Sequence, residues 1–379
     1  MKAFLQISIL ILFIQCGFGA WAQDSIPSKL KFEADFRFRL EQDWNSRKSD
    51  GTFRDDRTRL RYRVRTGFTF NDGAYEVGVR ARTGNLRKQQ DPQLTLGDNF
   101  AEFGTLPIGL EKAYFKAEWQ LLDFWLGKNT FPFAKSNELF WSDNVYPEGV
   151  HLSKKMTFDS SKFDFVDINL GHFLIRASGK SLDMDTYMQG GQVHLSMMNK
   201  QLELFPSVFY FKNMPNRPDG GENYYLDYMI LDGGLRFKPF KSVPLRVEAN
   251  VYHNLLDYSS NDSIVDELKN QKSGWVTGLK YGGLKKKGDW VFKATYAHLQ
   301  QFSIVDFMAQ NDWARWDYSS YNSPDGRLTN YQGIELFVGY AITDRLKFKT
   351  KCYFVDQLVP NGSHRETGSR IRFDIDFKI

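Results

Sequence analysis

Five arginines at alternate positions, Arg57, Arg59, Arg61, Arg63 and Arg65 in the segment DDRTRLRYRVRTGFTF, constrain the fold of this chain more than any other feature. Leu60, Tyr62 and Val64 stand between them, and Phe68 and Phe70 continue the apolar parity. A period of two is that of a β-strand, so one face is cationic and the other apolar and aromatic. At a rise of ~3.4 Å per residue the ladder spans roughly 27 Å, close to the apolar height of an outer-membrane barrel. Neither a dry core nor lipid accepts such a row, since each arginine costs about 2–4 kcal/mol at a bilayer midplane. The face that carries them has to be wet. A transmembrane β-barrel, with lipid outside and water within, satisfies both faces at once.

The rest of the chain repeats this logic. A first strand over Leu30–Trp44 sets Phe32, Ala34, Phe36, Phe38 and Leu40 against Glu33, Asp35, Arg37, Arg39 and Glu41. Beyond the tight turn Asn71-Asp72-Gly73, Tyr75, Val77, Val79 and Ala81 alternate with Glu76, Gly78, Arg80 and Arg82. The last segment alternates without a break: Ile371, Phe373, Ile375, Phe377 and Ile379 on one parity, Arg370, Arg372, Asp374, Asp376 and Lys378 on the other. Outer-membrane proteins end on such a strand, which their insertion machinery reads, although Phe is commoner there than Ile. Eight long connections alternate with seven short turns. Bacterial barrels have an even strand number, short periplasmic turns and long external loops. The chain is therefore predicted to be an all-β, antiparallel transmembrane barrel of about 16 strands, with 14 to 18 as bounds. A barrel of this size keeps an aqueous interior.

Composition narrows the function classes. Met1-Lys2, the apolar run Phe4 to Ile14 and Ala20-Trp21-Ala22 read as a secretory signal over residues 1–22, leaving 23–379 as a single barrel domain. Gln15 before Cys16 argues against a lipoprotein. Cys352 then has no partner for an intramolecular disulfide and reads as a small hydrophobe. No run approaches 18 apolar residues, which excludes helical spans. Yet the chain is 42% hydrophobic and 16% aromatic, with 33 Phe and 18 Tyr. Its 50 basic and 45 acidic residues leave a net charge of +5, and the basic residues alternate along strands instead of lining a recognition helix, so no nucleic-acid partner is expected. Six histidines and one mature cysteine, without HExxH or paired-Cys spacing, support neither a metal site nor a cofactor.

The third long loop, near 129–147, is too apolar and aromatic for a solvated external loop. Two readings are open: a cap packed on its own aromatics, or an insertion into the barrel, which is favoured. Insertion would bring Glu138, Asp143 and Glu148 towards the arginines of the first three strands and the last, Arg37, Arg39, Arg57, Arg59, Arg61, Arg63, Arg65, Arg80, Arg82, Arg370 and Arg372. Opposed charge rows across a constriction bias which ions pass.

Three stretches, DRTRLRYRVRTGF, GKNTFPF (Gly127 to Phe133) and FWSDNVYPEGV (Phe140 to Val150), resemble the putative porin family of Gram-negative outer membranes. In that family a Gly-Lys strand end, a Pro-Phe step and a Trp/Asp…Glu-Gly segment follow in this order, and the resemblance covers roughly residues 30–155. Ser142 separates Trp141 from Asp143, so no role is carried over to Asp143. The resemblance implies a passive channel for small hydrophilic or anionic solutes, set in outer-membrane lipid. It is compatible with a homotrimer.

Two other classes remain. An arginine-rich lumen is similar to that of the alginate-export barrel, which would make the chain a specific channel for an acidic polysaccharide. His151-Leu152-Ser153 and His194-Leu195-Ser196 place His and Ser on one strand face, as in outer-membrane phospholipase A. Val150, Leu152, Val193 and Leu195 take the lipid parity, however, so these His and Ser point inward, where that enzyme does not work. Lys285-Lys286-Lys287 reads as a solvated turn, and Trp44, Trp119, Trp290 and Tyr75 as interface anchors. The loop carrying Trp313, Trp316, Tyr318 and Tyr321 reads either as a sugar-stacking surface or as a cap at the barrel mouth.

Overall fold

The computed structural model describes residues 29–97, 104–158, 162–217, 222–313, 328–360 and 362–379. The secretory segment, the turn residues Asp159, Ser160 and Ser161, and Trp316, Tyr318 and Tyr321 lie outside the described residues. Alternation gives sixteen barrel strands. The first eight are β1 (Leu30–Trp44), β2 (Arg57–Asp72), β3 (Tyr75–Thr83), β4 (Ile108–Glu118), β5 (Asp123–Lys128), β6 (Glu148–Thr157), β7 (Phe163–Arg176) and β8 (Thr186–Met197). The remainder are β9 (Leu202–Pro215), β10 (Tyr225–Phe237), β11 (Leu245–Asn254), β12 (Ser273–Gly282), β13 (Trp290–Leu299), β14 (Tyr331–Ala341), β15 (Leu346–Gln357) and β16 (Thr367–Lys378). A two-residue strand, Leu94–Thr95, pairs antiparallel with Arg61 and Tyr62 of β2, in the sheet itself.

Each barrel strand pairs antiparallel with its neighbours, and β1 pairs with both β2 and β16. Among the described residues the ring of strands closes on itself, as a bilayer requires. The closing register matches opposite charges on the inner face and apolar groups on the outer one. Arg37 faces Asp376, Arg39 faces Asp374, Glu41 faces Arg372 and Asp43 faces Arg370, while Phe36 meets Phe377 and Leu40 meets Phe373. A slip of one residue would turn every one of these side chains to the wrong face.

Short turns and long loops alternate around the ring as the sequence predicts. Between β2 and β3 the turn needs a left-handed residue, which Gly73 supplies at φ 71°. Asp289 accepts the backbone N–H groups of Lys285 and Lys286, both at 2.8 Å, and fixes the lysine turn between β12 and β13. Tyr75, Trp119, Tyr281 and Trp290 are exposed at the short-turn ends of their strands. Tyr75 stacks on Phe115, and Trp290 packs on Tyr340 with ring centroids 4.6 Å apart. These are interfacial positions for amphipathic rings.

The interior departs from a uniformly wet lumen. Inward side chains of the middle strands, Phe173, Met188, Phe209, Phe211, Ile230 and Tyr252, form a dry cluster with Phe131, Phe133, Phe140 and Trp141 of the third long loop. The segment β9 reads LELFPSVFYFKNMP, apolar on both parities, so beside its exposed outer face, which carries Val208, its inner face, with Phe205, Phe209 and Phe211 buried, also needs a dry partner.

Candidate functional site

The third long loop, residues 129–147, lies inside the barrel. Its aromatic residues insert between loop and wall. Phe131 stacks on Trp141 at 4.5 Å, Phe140 on Tyr252 at 5.6 Å, and Phe133 meets Phe209 edge-on at 5.1 Å. Room for Phe133 is made by two glycines paired across β7 and β8. A Cβ at Gly190 would lie 2.6 Å from its ring, and one at Gly171 would lie 3.2 Å away. Polar contacts pin the backbone. Ala134 exchanges two hydrogen bonds with the Gln192 side chain, at 2.7 and 2.9 Å. Asn137 donates to Asn250 at 2.9 Å, and Arg236 donates to the Lys135 carbonyl.

At its far end the loop reaches the opposite wall. Arg65 donates to Asn144 Oδ1 at 2.7 Å and Arg80 to the Tyr146 hydroxyl at 2.6 Å. A second segment, after β13, also enters the lumen and packs on the first. Phe302, Ile304, Val305, Met308 and Trp313 are buried there. Ser142 N donates to Met308 O at 2.8 Å, and Gln310 N to Glu138 O at 3.0 Å. Trp313 is 1% exposed, between the rings of Tyr331 and Tyr353, so it is a packing residue and no sugar can stack on it.

The arginines gather on the facing wall. Nine of the eleven, Arg37, Arg39, Arg57, Arg59, Arg61, Arg63, Arg65, Arg370 and Arg372, line one cavity of about 680 Å³. Arg54, Lys349 and Lys351 join them, so twelve cationic side chains meet six carboxylates there. Arg80 and Arg82 stand outside it. Arg82 donates to the carbonyls of Thr83, Asn85 and Lys88 and so braces the loop after β3.

The ladder is not a row of free charges. Arg39 grips Asp374 with two bonds, 2.5 and 2.9 Å, and Arg37 grips Asp376 in the same way. Arg63 donates to Asp35 at 2.5 Å, Arg57 to Asp43 at 2.8 Å, Arg59 pairs with Glu41 and Arg61 with Asp91. This compensation is needed because the β1–β2 register sets Arg37 opposite Arg63 and Arg39 opposite Arg61, and like charges directly opposite destabilise a sheet.

Glu111 is a counter-ion that parity conceals. Strict alternation back from Ala113 would put Glu111 on the lipid face. A β-bulge between β3 and β4, where Arg80 faces Lys112 and Ala81 faces Leu110, gives β4 one extra residue and turns Glu111 inward. Its carboxylate is fully buried among Arg80 Nε at 2.5 Å, Arg65 Nε at 3.1 Å and Arg82 Nε at 3.8 Å.

Of the three acidic candidates, Glu138 and Asp143 line the arginine cavity and Glu148 does not. Glu148 opens β6, exposed, and pairs with Lys128. Asp143 N donates to Glu138 Oε2 at 3.1 Å, and Asp143 holds Lys135 at 2.6 Å. Burial, together with the Asp143 carboxylate, raises the affinity of Glu138 for a proton above that of an ordinary glutamate. A second cavity of about 330 Å³ adjoins the first. Glu138, Asp143, Gln310, Phe337 and Lys351 line both and stand at their junction.

Neither His151 nor His194 is hydrogen-bonded to the Ser two residues on. His151 Nε2 bonds Asn169 at 3.1 Å, His194 Nε2 bonds Glu203 at 3.2 Å, and Ser196 Oγ donates to Asp164 at 3.2 Å. Among the described residues no group of three or more His, Cys, Asp or Glu has the geometry of a metal site.

A closed sixteen-stranded antiparallel barrel holding an inserted loop defines a porin-like β-barrel, and solved structures share its fold. OprB of Pseudomonas putida, in a high-pH structure, superposes with a TM-score of 0.53 at 13% identity, over 93% of this chain and 94% of that one. A mutant of the Rh. blastica porin gives 0.50 at 13% identity, over 92% of this chain and 100% of the other. At the level of sequence, the model of the family described as putative porin matches residues 51–226, which bears out the resemblance carried by the ladder strand and the third loop. No curated protein matches the chain.

Proposed function

We propose that this chain is an outer-membrane porin that lets small hydrophilic solutes diffuse through its lumen, with a weak preference for anions. The observation that carries this reading is the cavity beside the inserted loop, whose lining has twelve cationic side chains to six carboxylates, while Asp35, Asp43 and Asp376 pair with some of these cations from outside the lining. The cationic excess attracts anions, and the interleaved carboxylates limit the preference. The family match and the shared fold support a channel in the outer membrane. The export signal over residues 1–22 and assembly as a homotrimer belong to the same reading.

Proteoliposome swelling tests it. Liposomes carrying the protein should swell in isotonic arabinose and, somewhat faster, in a small monocarboxylate salt. Liposomes that stay unswollen in both would refute passive diffusion. Swelling only with uronate oligomers would instead establish the acidic-polysaccharide channel.

A further inference from the structure

Around Glu41 the wall holds more guanidinium than its own strands neutralise. Arg59 pairs with Glu41, and Arg61, Arg370 and Arg372 also approach it, at 4.0, 3.9 and 3.8 Å. One carboxylate cannot balance four cations. Arg370 takes a further strand partner in Asp43, at 2.5 Å. The others recruit carboxylates from loops: Arg61 takes Asp91, and Arg372 takes Asp312 of the second inserted segment.

The seat of Asp312 has the make-up of a receptor for a carboxylate. Arg372 Nη1 pairs with Oδ1, while Oδ2 accepts the Tyr353 hydroxyl at 3.2 Å and Gln310 Nε2 at 2.5 Å. Arg370 Nη1 donates to the carbonyls of Asn311 and Asp312, at 3.3 and 3.1 Å, and positions the backbone. Guanidinium, phenol and amide are supplied by β16, β15 and the loop, and the carboxylate they hold lines the 680 Å³ cavity. Charge-assisted bonds of this kind recognise a carboxylate whether or not a chain carries it.

We propose that Arg372, Tyr353 and Gln310 form a carboxylate-binding subsite on the solute path, occupied in this structure by the chain's own Asp312. Small organic acids compete with Asp312 for this seat. The tethered aspartate thereby keeps their binding weak enough for release, which conduction requires. The role in conduction rests on the porin reading; the subsite itself does not.

The probe is succinate, with sucrose as the uncharged control. In planar bilayers Asp312→Ala should lower the half-blocking concentration of succinate by at least about tenfold, as removal of a charged competitor demands, and leave sucrose without effect. Adding Arg372→Gln to that variant should restore the original value. Calorimetry of the detergent-solubilised D312A barrel should show one succinate site, lost in the double variant. Where D312A does not assemble, the isosteric D312N should show the same change at smaller amplitude. Equal block in D312A and the parent, or a gain that survives R372Q, overturns the subsite. Arg372-dependent binding in detergent without any current would uphold the subsite and remove the porin reading. Current without such binding would do the reverse.

Discussion

Along β1, β2 and β16 the inward side chains are charged and line the larger cavity, whereas β7 to β11 set Phe173, Met188, Phe209, Phe211, Ile230 and Tyr252 among their inward polar groups, and these apolar side chains meet the inserted loop. Both regions use the same alternating strand, and they differ in what the inward face is given to do. Each fully buried Phe or Met on the aromatic side stabilises the fold by ~1.5–3 kcal/mol relative to exposure. A buried ion pair gains little net stability, because desolvation offsets the attraction. Shape and stability thus reside on the aromatic side, which fixes the loop, while the arginine side is left to set the field that a solute meets.

The comparison can be broken first at the loop. Phe133→Ala together with Phe140→Ala removes two anchors, each worth ~3–5 kcal/mol, and should release the loop, raise single-channel conductance and blunt ion selectivity. An unchanged conductance in a correctly assembled variant would mean that the aromatic seat does not hold the constriction. Gly190→Leu, which fills the space of the Phe133 ring, is expected to act in the same direction by a different route.

On the charged side the largest effect is expected at the closing seam. Asp374→Asn strands Arg39, which is 4% exposed, and a cation left unpaired in such a place costs ~3–5 kcal/mol. The heat-induced mobility shift of the folded barrel on gels should move to lower temperature. A shift no larger than that of an exposed control such as Asp72→Asn would show the seam to be well hydrated.

The smallest effect is a pH dependence at the junction of the two cavities. The raised proton affinity of Glu138 means that acidification neutralises it before ordinary glutamates, which titrate near about 4.3. Loss of one negative charge at the junction should increase anion preference as pH falls, starting above that range. Glu138→Gln should hold the higher preference at neutral pH and erase the step. If the step persists in that variant, another group carries it.

Much of this architecture was legible because alternation is a local signal. The strand Leu30–Trp44, the arginine ladder, the last strand and the order of eight long and seven short connections all follow from parity and turn residues. The inserted loop was legible from Phe131, Phe133, Phe140 and Trp141, too many aromatics for a solvated segment. What parity alone hid is non-local. Glu111 faces inward only because of a bulge in one strand, and Asp91 and Asp312 become counter-ions only once their loops fold into the barrel. Trp313 suits a mouth cap or a stacking surface until Tyr331 and Tyr353 are seen around the indole, which decides for packing at that residue. The one local clue to a dry half-lumen was β9, apolar on both parities.

The central claim is that the arginine wall sets ion preference in an open channel. Its most direct test is the reversal potential under a salt gradient, measured on single channels of the parent and of the Arg59→Gln, Arg61→Gln, Arg63→Gln variant. The parent should conduct steadily with a mild anion preference, and the triple variant should keep its conductance while that preference falls towards zero or inverts. The same reversal potential in both proteins, or a cation-selective parent, would contradict the account.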